Sequence, residues 1–416
     1  MIESLEMYNF KSFSDGRLDF TRKNRKDPKN LVAIYGENGS GKSNIVDAFK
    51  VLKFSTMTTY YAEKFTDLQS RVSDTLMESS ASYEFESVKA MSSCLQFKDL
   101  KSVLKHTPTI HSKKDTKLVC NFQIDHITGS YEFTYDDGCN LKSESLYYLI
   151  NKKRGYLYTI HKNEDGLTIH LNKEIFKSQS IRDELSNELF KLWGRHTFIA
   201  IFKQFQEKVN SPYIQKNISD NLLDVLDEFN KLIIWDNEVK GPFTKAQSLL
   251  PDLDSGSIDR EQIEQLEKCE EVIYAYFSSL YADIKDVKYK KKEKNGKIDY
   301  QLYISKNING KLTEVPFYLE SNGTKNLLEL LQVFFAVIEG NTVIVDEIDN
   351  GIHDILMNNV IKNVRQNLTG QLIFTTHDTF LLRELPASSA YFINLDNMGN
   401  KRILSGNDYD TKVLKN

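Results

Sequence analysis

The sequence predicts an α/β protein with a mixed sheet, an antiparallel β meander and a short helical insertion. The class is indicated by apolar strands that each end in a polar motif, and these are 31–35 before GENGSGKS, 342–345 before Asp346-Glu347, and 371–375 before Thr376-His377-Asp378. The carboxyl ends of parallel strands share one edge of a sheet, and open α/β sheets bind ligands there. We therefore expect the three motifs to form one composite site.

The loop after the first strand has the spacing G-x-x-x-x-G-K-S. Its glycines permit positive φ angles and a close approach of the backbone to a ligand. Successive N–H groups can then cradle phosphate oxygens at the positive end of the following helix. Lys42 supplies a charge to the β- and γ-phosphates, and the Ser43 hydroxyl can ligate Mg²⁺. The expected cofactor-binding residues are Gly36, Glu37, Asn38, Gly39, Ser40, Gly41, Lys42 and Ser43; the alternative is a glycine turn that serves only tight strand–helix packing.

The composition is that of a globular protein, with 416 residues, 40% apolar residues, 27% charged residues and a net charge of −4. This balance gives no overall attraction to nucleic acid, so any such contact must come from a local patch. The four cysteines are far apart and form no C-x-x-C pair, which disfavours a zinc ribbon or a disulfide framework and favours a reducing cytosol. The longest apolar stretch, 327–338, is too short to cross a bilayer. We expect a cytoplasmic protein with no membrane partner.

The N-terminal part, 1–172, combines the phosphate loop with strands. Residues 2–10 alternate as in a half-buried strand with a hairpin partner near 18–20, and a basic turn follows at 22–30. A helix is expected from the loop to about residue 60, whereas 60–115 has only weak helical patterning. From residue 117 strands predict an antiparallel meander, and its turns are expected at Thr128-Gly129, Asp137-Gly138 and Lys153-Arg154-Gly155.

The middle part, 173–284, has apolar residues at helical spacing and is expected to be a helical insertion. The expected helices include NLLDVLDEFNKLIIW and Ile258 to Ile284. The last part, 285–416, opens with strands at 288–292 and 298–304, joined by a basic turn. The lysines of this segment form either a nucleic-acid contact or a solvated hairpin tip, and they are Lys285, Lys288, Lys290, Lys291, Lys292, Lys294 and Lys297.

Asp346 and Glu347 follow a β-branched strand of the kind buried in parallel sheets. The first carboxylate is expected in the Mg²⁺ shell, and the second as the general base that polarises the attacking water. Alone, such a pair could be an exposed acidic strand end. His377, at the tip of a neighbouring strand, can reach the γ-phosphate and report its presence, although a strand-end histidine is often structural.

The stretch LESNGTKN, 319–326, stands directly before an apolar helix. Ser321 is a plausible N-cap, Gly323 permits close approach, and a helix N-terminus favours an anion. By itself this stretch predicts only a helix cap. Its position between the two halves of the composite site is what suggests a role in nucleotide binding.

In this order, these motifs resemble the ABC-type ATPase head shared by the RecF, SMC and OLD groups. The Asn9-Phe10 pair of the first strand matches an asparagine-phenylalanine pair in the opening strand of that group. SNGT at 321–324, DEIDNGIH at 346–353 and TTHD at 375–378 are most similar to AAA15-type prokaryotic ATPases. That group includes OLD-like and abortive-infection proteins of phage defence. The resemblance covers about 1–150 and 285–400, and SNGT departs from the glycine-glutamine signature of transporters.

The resemblance implies a cycle of ATP and Mg²⁺ in a head-to-tail homodimer. The signature residues of one protomer, Ser321, Asn322, Gly323 and Thr324, would close on the γ-phosphate held by the phosphate loop of the other. Asp349 would lie at the dimer seam and bind the nucleotide there, and His377 would act as the switch histidine. ATP binding would then drive closure, and hydrolysis would release it.

OLD nucleases carry a Toprim domain after the head, and only about 40 residues follow His377. We therefore expect a sensor or scaffold in prokaryotic antiviral defence, a homodimer able to assemble further, that works with a separately encoded effector such as a nuclease. Its trigger would be DNA or a phage protein. The alternatives are a RecF-like DNA repair ATPase that binds DNA and a stand-alone enzyme that uses ATP to modify a small molecule.

Overall fold

The computed structural model describes residues 1–22, 25–75, 92, 94–235, 246–294, 296–383, 385–397 and 399–408. Within these ranges the strands are β1 (Ile2–Phe10), β2 (Phe13–Asp19), β3 (Thr21–Arg22), β4 (Arg25–Pro28), β5 (Leu31–Tyr35), β6 (Thr116–Ile124), β7 (Ile127–Tyr135), β8 (Leu141–Ile150), β9 (Lys153–Asn163), β10 (Gly166–Leu171), β11 (Leu232–Trp235), β12 (Ser255–Asp259), β13 (Ile284–Lys294), β14 (Lys297–Ile308), β15 (Lys311–Pro316), β16 (Thr342–Val345), β17 (Gln371–Thr376), β18 (Ala390–Leu395) and β19 (Lys401–Ser405). The helices are α1 (Lys42–Ser55), α2 (Thr58–Thr75), α3 (Leu100–Leu104), α4 (Gln179–Leu192), α5 (Phe198–Lys208), α6 (Ser211–Asn217), α7 (Asp220–Asn230), α8 (Ile263–Leu280), α9 (Asn322–Ile338), α10 (Asp354–Val364) and α11 (Thr379–Arg383).

A six-stranded sheet in the order β11-β16-β17-β5-β18-β19 carries the phosphate loop. Its strands are parallel except for the β18–β19 pair. The two faces of β5 enter different cores, because Val32 and Ile34 pack with the meander whereas Leu31 and Ala33 pack with the helices α8 to α10. Burial on both faces explains the continuous apolar run that predicted this strand.

The predicted meander is confirmed, and it is larger than expected. A seven-stranded antiparallel sheet has the order β10-β9-β8-β7-β6-β1-β2, so the N-terminal hairpin belongs to it. The Gln371 side chain joins this sheet to the parallel one by accepting from the Ile2 N–H (2.9 Å) and donating to the Ile2 carbonyl (3.0 Å). The two sheets are therefore linked where the first strand begins.

Two predicted turns of the meander are wrong. Gly129 lies inside β7, where a Cβ would stand 2.3 Å from Cζ of Phe122, so this glycine makes room for an aromatic ring. The actual turn is Asp125-His126, both in the left-handed region (φ 46° and 65°). Likewise, 153–155 begins β9, and the turn lies directly before it at Asn151-Lys152, with Asn151 in the left-handed region (φ 51°). Short polar side chains tolerate this backbone and can replace glycine in turns.

The helical middle segment needs two corrections. Leu232–Trp235, predicted as the end of a helix, is strand β11, which pairs in parallel with β16 at the edge of the central sheet. A run of four apolar residues is compatible with both the helix period and the strand period. Here the pairing with β16 selects the strand. The helix expected from Ile258 to Ile284 spans only Ile263–Leu280. Ile258 lies in β12, a capping box of Asp259 and Gln262 holds the 3₁₀ turn Arg260–Gln262, and Ile284 begins β13.

The helix after the phosphate loop ends at Ser55 rather than near residue 60, and α2 follows after a break. The segment 60–115 contains α2 and α3, and residues 76–91 and 93 lie outside the described part. Residues 23 and 24 at the tip of the basic turn also lie outside it. The division of the chain at 172 and 284 stays a prediction, although α4 to α7 share a core with the meander.

The third sheet contains the predicted strands near 288–304. It has the order β12-β14-β13, and β15 also pairs with β14. None of the helices within the described ranges is long and apolar enough to cross a membrane.

Candidate functional site

The three predicted motifs lie at one edge of the parallel sheet. β17 stands between β16 and β5, with Val345 paired to Phe374 and Thr376 paired to Tyr35. The strand ends therefore deliver the Asp346-Glu347 pair, the TTHD motif and the phosphate loop side by side. The composite arrangement expected from the sequence is the one that the fold builds.

The phosphate loop has the backbone that its glycines predicted. Gly39 and Gly41 have φ values of 80° and 112°, and a Cβ on Gly36 would stand 2.2 Å from Oγ of Ser40. The buried Lys42 side chain folds back and donates from Nζ to the carbonyl oxygens of Gly36 (2.6 Å) and Glu37 (3.2 Å). An entering phosphate would offer this ammonium a stronger, charged acceptor. Ser43 is exposed in the first turn of α1 and is free to face a ligand.

A second lysine stands at this loop, and sequence reasoning missed it. Nζ of Lys401, on β19, lies 3.2 Å from the carbonyl oxygen of Gly39 and would be 2.8 Å from a Cβ on Gly41. Burial lowers the pKa of this ammonium below its usual value. No local signal marks this lysine, because it lies some 360 residues along the chain from the loop that it touches.

Thr375 organises the carboxylate pair. Its hydroxyl donates to Oδ1 of Asp346 (2.5 Å) and accepts from the backbone N–H of Glu347 (2.8 Å). Glu347 has a φ of 50°, which is rare for a residue with a side chain and is typical of functional sites. Its side chain is exposed at the strand end. The sequence feature that could have indicated this role of Thr375 is the polar Thr375-Thr376 pair at the end of an apolar strand.

Asp349 contacts the carboxyl end of β17 within its own protomer. Its buried carboxylate accepts from Oγ1 of Thr376 (2.9 Å) and lies 3.4 Å from Nδ1 of the exposed His377. Its other oxygen, Oδ1, is buried without a hydrogen-bond partner among the described residues. The position of Asp349 at a dimer seam stays a prediction, whereas its contact with His377 is part of the protomer.

The signature stretch caps α9 as expected. The Ser321 hydroxyl accepts from the backbone N–H of Thr324 (3.2 Å), which leaves Ser321 and Asn322 exposed at the helix start. A Cβ on Gly323 would stand 2.7 Å from the Gly351 carbonyl oxygen, so the helix start packs on the loop that follows Glu347. Nδ2 of Asn326 donates to the Asn350 carbonyl in the same contact (2.9 Å). Movement of the signature would therefore move this loop.

The residues present fit the expected cofactors. A cradle at Gly36 and Gly41 that a Cβ would fill, with Lys42 beside it, suits a polyphosphate. The Ser43 hydroxyl and the Asp346 carboxylate supply hard oxygen atoms, which Mg²⁺ prefers, and Mg²⁺ commonly takes its remaining ligands from phosphate and water.

Four of the seven lysines of the basic hairpin at 285–297 pair with carboxylates on the third sheet or on α8. These pairs are Lys288–Asp286 (2.7 Å), Lys290–Glu314 (2.7 Å), Lys291–Glu267 (3.1 Å) and Lys297–Asp259 (3.6 Å). Paired ammonium groups offer little charge to a phosphate backbone. Of the two interpretations left open by the sequence, these contacts favour the solvated hairpin.

The fold and the site define an α/β domain with a phosphate loop at the edge of its parallel sheet. Residues 31–383 match the family described as "AAA domain, putative AbiEii toxin, Type IV TA system", and the chain belongs to that family. The match runs from the strand before the phosphate loop to α11, beyond His377.

Parts of the chain are similar to the chromosome partition protein Smc. The protein from Methanocaldococcus jannaschii is 40% identical over 78 residues, 16% of this chain and 6% of that protein. The protein from Rhodopirellula baltica is 49% identical over 51 residues, 12% of this chain and 4% of that protein. The matched segments are thus a small fraction of these relatives' length.

Solved structures that are similar to this chain include an SMC head bound to the C-terminal winged-helix domain of ScpA. It has 15% identity and a TM-score of 0.49, and the match covers 99% of both chains. The SMC head domain from Thermotoga maritima has 15% identity and a TM-score of 0.39, covering 97% of this chain and 98% of that one.

Proposed function

We propose that this protein binds and hydrolyses ATP with Mg²⁺, dimerises on ATP, and acts as a sensor or scaffold in prokaryotic antiviral defence with a separate effector, a nuclease. The observation that carries the ATPase part is the shared edge of β16, β17 and β5, which places Asp346, Glu347 and His377 beside the phosphate loop. The Lys42 ammonium, the proposed base Glu347 and the proposed switch residue His377 would then surround the γ-phosphate.

The chemistry divides among named groups. The Lys42 ammonium, which donates to a loop carbonyl in this structure, would donate to phosphate oxygens instead. Ser43 and Asp346 would hold Mg²⁺, which would neutralise the charge that develops on the phosphates. Glu347 accepts a proton from the attacking water, and its backbone is held by Thr375. His377 contacts the γ-phosphate, and it is positioned from behind by Asp349.

Dimerisation supplies the remaining contact. The exposed N-terminus of α9 is a natural anion site, and in the proposed dimer Ser321 to Thr324 meet the γ-phosphate of the partner protomer. Gly323 and Asn326 pack on 350–351. A movement of α9 towards the partner protomer would therefore also shift the loop that carries Asp349. ATP binding in one protomer is thereby coupled to the hydrolytic residues of the other.

The defence role rests on the family and on the state of the basic hairpin. The family description names a toxin of a type IV toxin–antitoxin system, which agrees with abortive infection. A DNA repair clamp would need a basic track free to meet phosphates. Four of the seven lysines in the basic hairpin are instead paired with carboxylates, so the repair alternative has less support.

The ATPase and dimer proposals are tested with Glu347→Gln. This variant should bind ATP but hydrolyse it about 10²- to 10⁴-fold more slowly, and should double its mass in ATP by light scattering. Lys42→Ala, which cannot hold the phosphates, should stay monomeric and bind no ATP at the phosphate loop. A Glu347→Gln protein that hydrolyses ATP at the normal rate would remove Glu347 as the base, and one that stays monomeric in ATP would refute the dimer.

The effector proposal is tested by co-purification. The chain is expressed together with the product of the neighbouring gene, with and without ATP, and phage plating is measured on the same cells. We expect a stable complex and a reduced plating efficiency that Lys42→Ala abolishes. Full protection by Lys42→Ala would separate defence from ATP binding and contradict the proposal.

A further inference from the structure

A groove of about 820 Å³ lies at the edge of the meander, away from the phosphate loop, and its lining residues come from the segment 99–113 and the β7–β8 turn. Its volume is within the usual range for small-molecule sites. The lining is basic, with Lys101, Lys105 and Lys113 as well as His106 and His111. Asp99 and Asp137 are the acidic members, and Asp99 accepts the Ser102 N–H as a helix cap (2.7 Å).

The three lysines of this groove differ from those of the basic hairpin. In the described part of the chain no carboxylate lies within ion-pair distance of Lys101, Lys105 or Lys113, and all three side chains are exposed. Their charges therefore remain available to an anion. Ile110, with 81% of its surface exposed, adds an apolar contact beside them.

A second observation points to a missing partner. Oγ1 of Thr109, a lining residue, is buried and has no hydrogen-bond partner among the described residues. Buried hydroxyl groups in native proteins are nearly always paired, and an unpaired one is costly. A rotation of this side chain towards the groove would let a phosphate or hydroxyl oxygen of a ligand satisfy this group.

The groove is built in advance of any ligand. His106 and His111 both have positive φ values, 66° and 63°, and turn the loop on either side of Thr109. The loop is fastened to β1 by hydrogen bonds from the Lys11 N–H to the Thr107 carbonyl (2.6 Å) and from the Thr109 N–H to the Asn9 carbonyl (3.1 Å). A preformed site loses less entropy when it binds.

The same segment touches the helix of the phosphate loop. Ser12 accepts a hydrogen bond from Nδ2 of Asn44 (2.6 Å), and Lys11 forms an ion pair with Asp47, both on α1. The groove loop, the segment 9–12 and the first turns of α1 are thus in continuous contact. An occupant of the groove would act on the start of the helix that carries Lys42 and Ser43.

We propose that this groove binds a phosphate-bearing ligand of mononucleotide to dinucleotide size, at a site separate from the phosphate loop. The lysines meet the phosphates, Thr109 donates to an oxygen of the ligand, and Ile110 packs on the base. Through 9–12 the bound ligand changes the rate of ATP hydrolysis, and this regulatory part rests on the proposed ATPase function.

Binding is measured in full-length Lys42→Ala protein, in which the phosphate loop is disabled. The probes are AMP and the dinucleotide pApA, and their binding is measured by titration calorimetry. The triple variant Lys101→Ala/Lys105→Ala/Lys113→Ala should weaken binding about tenfold or more. The matched control removes three exposed lysines at the other end of the meander, Lys152, Lys153 and Lys162, and should change affinity less than twofold.

Thr109→Val provides a second variant. It removes the unpaired hydroxyl at nearly constant volume, so the urea midpoint should be unchanged or higher, while affinity for the probe should fall. The proposal is overturned if neither probe binds Lys42→Ala protein, or if both triple variants weaken binding equally. It is also overturned if a 20-nucleotide single strand binds the groove and the small probes do not, since that outcome indicates a nucleic-acid interface.

The regulatory part is read from ATP turnover of protein with an intact phosphate loop. Adding pApA should change the rate at least twofold, and the groove triple variant should lose this response while keeping its basal rate. An unchanged rate at saturating pApA would refute the coupling. If no ATP turnover is found at all, the proposed function fails, whereas the calorimetry still decides the groove.

Discussion

The hydroxyl of Thr375 donates a 2.5 Å hydrogen bond to Oδ1 of Asp346, from one parallel strand to the end of the next. Oγ1 of Thr375 also accepts a hydrogen bond from the backbone N–H of Glu347 (2.8 Å). One buried side chain thus orients the proposed magnesium ligand and the proposed base together. Partners behind a metal ligand typically affect metal affinity or activity about 10- to 100-fold.

Thr375→Val should therefore lower ATP turnover about 10- to 100-fold and raise the Mg²⁺ concentration required for half-maximal rate. Valine keeps the volume of threonine but leaves Asp346 and the Glu347 N–H without their partner. Thr375→Ser, which keeps the hydroxyl, is the control and should retain most of the activity. Equal rates for valine and serine would show that the hydroxyl does not organise the site.

The left-handed backbone of Glu347 predicts a difference between two inactive variants. Glu347→Gly should be more stable towards urea than Glu347→Ala by about 1 kcal/mol, because a Cβ strains a residue at this φ and glycine has none. Both variants lack the carboxylate and should hydrolyse ATP equally slowly. A glycine variant that is less stable than the alanine variant would indicate that this residue is not strained.

Lys401 is expected to strengthen nucleotide binding from outside the phosphate-loop motif. Lys401→Met keeps the aliphatic stem but removes the ammonium that contacts Gly39, so ADP affinity should fall about three- to tenfold. The neighbouring Arg402, whose side chain is exposed, provides the matched Arg402→Met control. Titration calorimetry measures the ADP affinity of both variants. An equal loss of affinity in both would show that Lys401 acts only through its general positive charge and not through its contact with the loop.

His196 predicts a pH dependence of stability. Its ring is 4% exposed, Nδ1 lies 2.9 Å from Oγ1 of Thr58, and burial lowers its pKa to about 4. The unfolded chain, with a histidine pKa near 6.5, binds the proton first as pH falls, so this contribution to stability is complete above that value and is lost towards pH 4.

Between pH 7 and pH 5 this histidine should cost the protein roughly 2 kcal/mol of unfolding free energy. His196→Gln can still bond to Thr58 but does not titrate, so it should show a smaller loss over the same interval. Urea unfolding at the two pH values provides the measurement. Parallel losses in the two proteins would assign the pH dependence to other groups.

Much of the candidate site could be predicted from the sequence because its parts are local. A phosphate loop needs only its own glycines and the helix that follows, and the Ser321 cap needs only a residue three positions later. The strand ends carrying Asp346 and His377 were likewise marked by continuous apolar runs. The meander was recognisable by its alternation, although two of its turns were placed wrongly because polar residues replaced glycine.

The sequence by itself therefore determined the class of the protein and the inventory of the site, since each motif is encoded within about ten residues. The tertiary structure alone decided that Leu232–Trp235 is a strand, that Thr375 bridges Asp346 and Glu347, and that Asp349 backs His377. It also brought Lys401 onto the phosphate loop. These relations join residues that are distant in sequence or ambiguous in period, so only the packing of the sheets could select them.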